Sequence, residues 1–81
     1  MQVRVQLFAV AKQAAGADHI DLLLADGATV ADVRRALVAA VPELAAAQKH
    51  LLFAVNAEYA GDGVVVGEKN EIACIPPVSG G

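Results

Sequence analysis

Thr29-Val30-Ala31-Asp32-Val33-Arg34-Arg35-Ala36-Leu37-Val38-Ala39-Ala40-Val41-Pro42 is the stretch on which the fold turns. Val30, Val33, Leu37 and Val41 recur at steps of three and four residues, which draws one apolar stripe along a helix. Thr29 is the N-cap candidate, because its hydroxyl can accept from a free backbone N–H of the first turn. Asp32 places negative charge near the positive end of the helix dipole. Pro42 has no N–H and clashes with the preceding turn, so the helix ends about there. Arg34 and Arg35 fall off the stripe and read as a solvated face. A helix with one apolar side needs a flat apolar surface to cover, and both flanks of this stretch supply strands.

Upstream, Val3, Val5 and Leu7 alternate with Arg4, Gln6 and Phe8, the period of two expected of a strand. The alanine-rich run Ala9–Ala15 predicts a short helical turn, with Gly16 as its stop. His19–Leu24 reads as a second strand, antiparallel to the first and closed by the turn signal Asp26-Gly27. Downstream, Pro42–Ala47 predicts another short turn. Leu51-Leu52-Phe53-Ala54-Val55 is a continuous apolar run and predicts a central strand buried on both faces. Asn56-Ala57 reads as a tight turn into a short strand at Glu58-Tyr59. Gly61-Asp62-Gly63 is a loop, Val64-Val65-Val66 a brief strand or an extended connector, and Glu68-Lys69-Asn70 a polar turn. Glu71–Ile75 is the last strand, with Ile72 and Cys74 pointing inward and Ala73 and Ile75 outward. One main helix across a mixed sheet of four to five strands, with short helical turns, is an α+β arrangement. The β-grasp (ubiquitin-like) fold is the simplest architecture with this order. The body spans residues 1–75 and a tail residues 76–81.

Composition limits what such a body does. The chain has 81 residues, 57% of them hydrophobic, yet only two Phe and one Tyr and no Trp, so the core is aliphatic. A domain this small buries only about 60% of its unfolded surface and leaves no room for a deep catalytic cleft beside its core. The net charge is −3, and Lys and Arg stand singly except at Arg34-Arg35. That pattern lacks the clustered basic face of a nucleic-acid binder. A single cysteine, Cys74, makes no internal disulfide, which fits a cytoplasmic location. No apolar run of about 18 residues is present to span a membrane, and the N-terminus lacks the charged lead and apolar stretch of a signal peptide. His19 and His50 lie far apart with no ligand cluster around them, so no metal is expected. Cys74 reads as a small buried hydrophobe and not as a sulfur relay. Lys49 and Lys69 read as surface charges.

The chemistry then falls to the tail Pro76-Pro77-Val78-Ser79-Gly80-Gly81. Extended at about 3.3 Å per residue, it reaches roughly 20 Å, enough to enter a partner's active site while the body stays outside. The prolines stiffen its base in an extended form. Gly80 and Gly81 have no Cβ, so the tip passes a narrow channel. The Gly81 carboxylate is sterically open. Activated by ATP as an acyl-adenylate and captured by a sulfur donor, it becomes a thiocarboxylate, a good nucleophile near neutral pH. None of this asks for a nucleophile, base or metal on the carrier.

Ile75-Pro76-Pro77-Val78-Ser79-Gly80-Gly81 resembles the C-terminal signature of the small subunits of molybdopterin synthase, the sulfur carriers of molybdenum cofactor biosynthesis. Leu7-Phe8-Ala9 with Lys12 and Gly16, and Leu52-Phe53-Ala54-Val55-Asn56, are weaker matches to the same family. The resemblance implies a protein that is not catalytic alone but is the sulfur-donor subunit of a sulfurtransferase. It implies no bound cofactor, ATP used by a partner, and a C-terminal 1-thioglycine at Gly81. The implied partners are the large synthase subunit, an adenylyltransferase related to the ubiquitin-activating enzymes, and a sulfurtransferase or cysteine desulfurase. The synthase is expected to be a heterotetramer. Ile75, Pro76, Pro77, Val78, Ser79, Phe8 and Lys12 are the implied partner contacts. Ile75 stands where the family often has an aromatic anchor, which weakens the expected grip on the partner and leaves the tail chemistry unchanged. Carriage of sulfur for thiamine, cysteine or tRNA thiolation, or ubiquitin-like modification of lysines, are the alternatives. Pro76-Pro77-Val78-Ser79 favours molybdopterin among the carriers.

Overall fold

In the computed structural model, which describes residues 1–77, the first strand β1 (Gln2–Leu7) turns Val3, Val5 and Leu7 inward and Gln2, Arg4 and Gln6 outward. Helix α1 (Ala9–Ala15) follows. It closes on Gly16 at φ 70°, whose N–H donates to the Lys12 carbonyl at 3.0 Å. That left-handed cap is the conformation glycine adopts without a Cβ penalty. Strand β2 (His19–Leu23) runs back antiparallel to β1, pairing Val3 with Leu22 and Val5 with Ile20.

Helix α2 (Val30–Ala40) starts from a capping box between Thr29 and Asp32. The Asp32 carboxylate accepts from the Thr29 N–H at 2.9 Å and from its hydroxyl at 3.2 Å. The stripe is Val30, Val33 and Leu37, each fully buried, in one cluster with Val3, Val5 and Leu7 of β1. Each such side chain contributes about 1.5–3 kcal/mol by leaving water. A 3-10 segment, Pro42–His50, carries the chain past the helix end, with Leu44 buried beneath it. It runs three residues beyond the expected turn. Strands β3 (Leu52–Val55), β4 (Glu58–Ala60) and β5 (Ile72–Ile75) complete the sheet.

The strand order is β2-β1-β5-β3-β4. β5 lies parallel to β1 and antiparallel to β3, and the other pairings are antiparallel. The last strand therefore slots between the first and the third, with α2 across one face: a ubiquitin-like β-grasp. Val64-Val65-Val66 is the connector, not a strand, and makes one isolated bridge from Val65 to Thr29. Its neighbourhood instead caps α2. The Val30 N–H donates to Val64 at 2.9 Å and the Ala31 N–H to Asp62 at 3.1 Å, which satisfies donors that a helix start leaves free.

Two expectations are corrected. The run Leu51–Val55 is not a central strand buried on both faces: β5 is central, and Leu52 is 50% exposed on the side away from α2. Arg34 is not solvated, since its side chain is only 17% exposed. Its guanidinium lies against the Phe53 ring and binds the backbone carbonyls of Gln48 and Leu51. Arg35 is exposed as expected and pairs with Asp32 one helical turn away.

Candidate functional site

The strand that leads into the tail also builds the surface around it. Alternation along β5 buries Ile72 and Cys74 and turns Ala73 and Ile75 outward, as the sequence predicts. The parallel ladder sets Leu7 against Cys74 and Gln6 against Ala73. Phe8, still extended at φ −125° and ψ 156°, therefore comes alongside Ile75 on the outward face. On the other side, the antiparallel ladder sets Leu52 against Ile75 and Ala54 against Ala73. Tyr59 of β4 lies opposite Ala54.

The result is an apolar row, Phe8–Ile75–Leu52, at the end of the sheet where the chain leaves. A second row, Ala73–Ala54–Tyr59, lies behind it. Phe8, Leu52 and Tyr59 are half to two-thirds exposed or more. Contiguous exposed apolar surface on a small protein marks a place where another molecule sits. Apart from Leu23, exposed at the far end of β2, the β1–β2 side of the outward face is polar. Arg4 donates to Asp21 at 3.0 Å, and His19 pairs with Asp18 at 2.8 Å. The two carboxyls are held below the usual carboxylate range, Asp21 chiefly by the Arg4 hydrogen bond and Asp18 chiefly by His19.

The predicted site residues separate in this geometry. Phe8 and Ile75 are brought together. Lys12 is exposed in the last turn of α1, where its charge adds a small attraction to Asp18. Pro77 is exposed, whereas Pro76 is buried and anchors the tail to the body. Val78, Ser79, Gly80 and Gly81 lie outside the described residues. Leu52 and Tyr59 complete the patch and were missed from sequence. The alternation of β3 could have flagged Leu52.

Cys74 lies wholly inside, and burial pushes its thiol up to about 11. A thiol so held is neutral near pH 7 and a poor nucleophile. A cleft of about 220 Å³ beside His19, Val41 and Glu43, and one of about 310 Å³ beside Arg4, Asn70 and Ile72, both lie away from Ile75 and the prolines of the tail base. Among the described residues, no three His, Cys, Asp or Glu side chains converge as metal ligands, and no helix is long and apolar enough to cross a membrane.

A β-grasp body with an exposed apolar sheet patch beside Pro76 and Pro77 defines a ubiquitin-like protein. The chain belongs to the ThiS family, whose model matches residues 5–81. It is 37% identical over 83 residues to the molybdopterin synthase sulfur carrier subunit of Chlamydomonas reinhardtii, covering 100% of both chains. It is 33% identical over 81 residues to that of Arabidopsis thaliana, covering 100% of this chain and 84% of the relative. Among solved structures it matches SAMP1 from Haloferax volcanii, with TM-score 0.84, 31% identity and 100% coverage of both chains. A complex of subunits 1 and 2 of the molybdopterin-converting factor from Helicobacter pylori matches with TM-score 0.66 and 21% identity over 100% of both chains, a likeness of fold.

Proposed function

We propose that this chain is a sulfur carrier of molybdenum cofactor biosynthesis, the small subunit of a molybdopterin synthase. The observation that carries the proposal is the end-to-end identity with a carrier subunit of that synthase. The exposed apolar row Phe8–Ile75–Leu52 beside Pro76 supports it, because such a surface suits a docking partner.

The Gly81 carboxylate attacks the α-phosphate of ATP in a ubiquitin-activating-like adenylyltransferase, forming an acyl-adenylate and releasing pyrophosphate. The terminal sulfur of a persulfide on a sulfurtransferase or cysteine desulfurase displaces AMP. A second thiol then attacks the S–S bond of the resulting acyl disulfide, freeing the thiocarboxylate as a new disulfide forms between the two thiol sulfurs. The Phe8–Ile75–Leu52 patch then docks on the large subunit, the tail enters its active site, and the thiocarboxylate delivers sulfur to the pterin precursor. Gly80 and Gly81 keep the tip slim, and Val78 and Ser79 are the tail's contacts with the partner. Water then hydrolyses the thioester formed by that delivery, which leaves the sulfur on the pterin and returns the carrier to a carboxylate. The body contributes affinity and orientation, and catalysis belongs to the partners. Subunits 1 and 2 of the molybdopterin-converting factor from Helicobacter pylori form a protein–protein complex, and a heterotetramer is the expected assembly here.

Intact mass measures the central step. Incubation with the adenylyltransferase, ATP and a sulfur donor should exchange one oxygen for one sulfur on the wild-type chain. A chain lacking Gly81 should gain nothing while its body stays folded. An unchanged wild-type mass would reject the carrier role. A second reading, a ubiquitin-like modifier, is favoured by the likeness to the small archaeal modifier protein 1 of Haloferax volcanii. It predicts isopeptide adducts on lysines of other proteins in cell extract.

A further inference from the structure

Arg34 lies on the helix side of the sheet, opposite the patch, and two of its contacts fall on the residues that flank Leu52, the Leu51 carbonyl and the Phe53 ring, while two more tie it to Gln48 and Asp62. Its Nη1 donates to the Leu51 carbonyl at 2.6 Å and to the Gln48 carbonyl at 2.7 Å. Its Cζ sits 5.1 Å from the centroid of the Phe53 ring. Its Nη2 donates at 2.8 Å to Asp62, whose own carbonyl accepts from the Ala31 N–H of α2. Leu51 and Phe53 are buried, and Leu52 between them is turned outward beside Ile75. β3 has four residues and its neighbour β4 has three, so the ladder bonds that hold this corner of the sheet are few. The cost of the arrangement is visible, because the Arg34 Nε is buried with no hydrogen-bond partner. A lysine offers one point charge and cannot span two carbonyls, a carboxylate and an aromatic face together.

We infer that Arg34 is a positioning residue for partner docking, acting through Leu52: from the far side of the sheet it clamps the backbone carbonyl before that residue and the aromatic ring after it, and so fixes the apolar row from behind. The inference rests on the docking role proposed above for the patch.

A double-mutant cycle on the full chain tests it, with affinity for the large synthase subunit measured by calorimetry for wild type, Arg34→Met, Leu52→Ala and the double variant. Leu52→Ala should weaken binding about tenfold, as expected of a side chain central to an interface. Arg34→Met, which touches no partner, should weaken it about fivefold in the wild-type background and less than about twofold when Leu52 is already alanine. Relaxation of the Leu52 methyl groups should report greater side-chain mobility in Arg34→Met. If that variant does not fold, Asp62→Asn, an exposed change that releases one prong of the clamp, should give a smaller loss with the same non-additivity.

No loss in Leu52→Ala would overturn the docking role of the patch, and the inference with it. A loss in Leu52→Ala together with an additive or absent effect of Arg34→Met would overturn the inference alone.

Discussion

Asn56 and Glu71 are joined by two hydrogen bonds that continue the β3–β5 ladder one step past its last regular pair. The Asn56 N–H donates to the Glu71 carbonyl at 2.7 Å, and the Glu71 N–H donates to the Asn56 side-chain Oδ1 at 2.9 Å. A side-chain oxygen thus stands in for a backbone carbonyl. Asn56 is also the first left-handed residue of the β3–β4 turn, at φ 52°, where Asn is among the residues that fit. Asn56→Ala should lose about 1–2 kcal/mol, one hydrogen bond plus part of the left-handed penalty, read from the urea midpoint.

The next residue offers a gain. Ala57 is held at φ 68°, so both central residues of the turn are left-handed, the pattern for which Asn-Gly is preferred. Ala57→Gly removes steric strain of about 1–2 kcal/mol and adds back somewhat less in unfolded-chain entropy. A net stabilisation of about 0.5 kcal/mol is expected, and a lower urea midpoint would contradict it.

The capping box should appear in the pH dependence of stability. The Thr29 N–H, aided by Arg35, holds the Asp32 carboxyl below its usual range. A carboxyl lowered in the folded state contributes stability that is fully present above its unfolded pKa and is lost as pH falls through the lower folded value. Wild type should therefore lose stability below about pH 4. Asp32→Asn should be less stable near neutrality and should lose less on acidification. Equal slopes for both proteins would show that the Asp32 linkage is absent.

Cys74 makes a clean control for the sulfur chemistry. With its thiol buried and held neutral, an aromatic disulfide reagent at about pH 8 should label it only as the chain unfolds. Cys74→Ala should still acquire sulfur at Gly81. A failure confined to that step, with the fold intact, would make Cys74 a relay after all.

Charge placed in the apolar row should separate docking from folding. Ile75 is only partly buried and Phe8 is 51% exposed. Phe8→Asp should weaken large-subunit binding by about tenfold or more. Its effect on stability should stay within about 1 kcal/mol, as for an exposed site.

Much of this was legible in the sequence because local pattern and global fold agree. Val3, Val5 and Leu7 announce a half-buried strand, and Val30, Val33 and Leu37 announce the helix that covers it. Leu51–Val55 misleads for a physical reason. An exposed apolar side chain such as Leu52 reads in sequence like a buried one, and a continuous apolar run does not say which of its faces the fold will cover. Val64-Val65-Val66 has the β-branched composition of a strand, but pairing needs a neighbour, and its backbone is spent on the start of α2. Arg34 hides because a helical wheel places its Cα and not its guanidinium, which reaches back over Phe53. The diglycine end was legible as chemistry alone, from residues that lie outside the described structure.

β5 enters the sheet between β1 and β3, with ladder bonds along both margins. A pull on the segment beyond Ile75, such as withdrawal from a tight channel, loads those bonds lengthwise and in parallel. Bonds loaded in shear resist together, whereas those of a peeled edge strand give way singly. The body can therefore take a pull on its end without unravelling, which the proposed cycle of filling, emptying and reuse would demand of it.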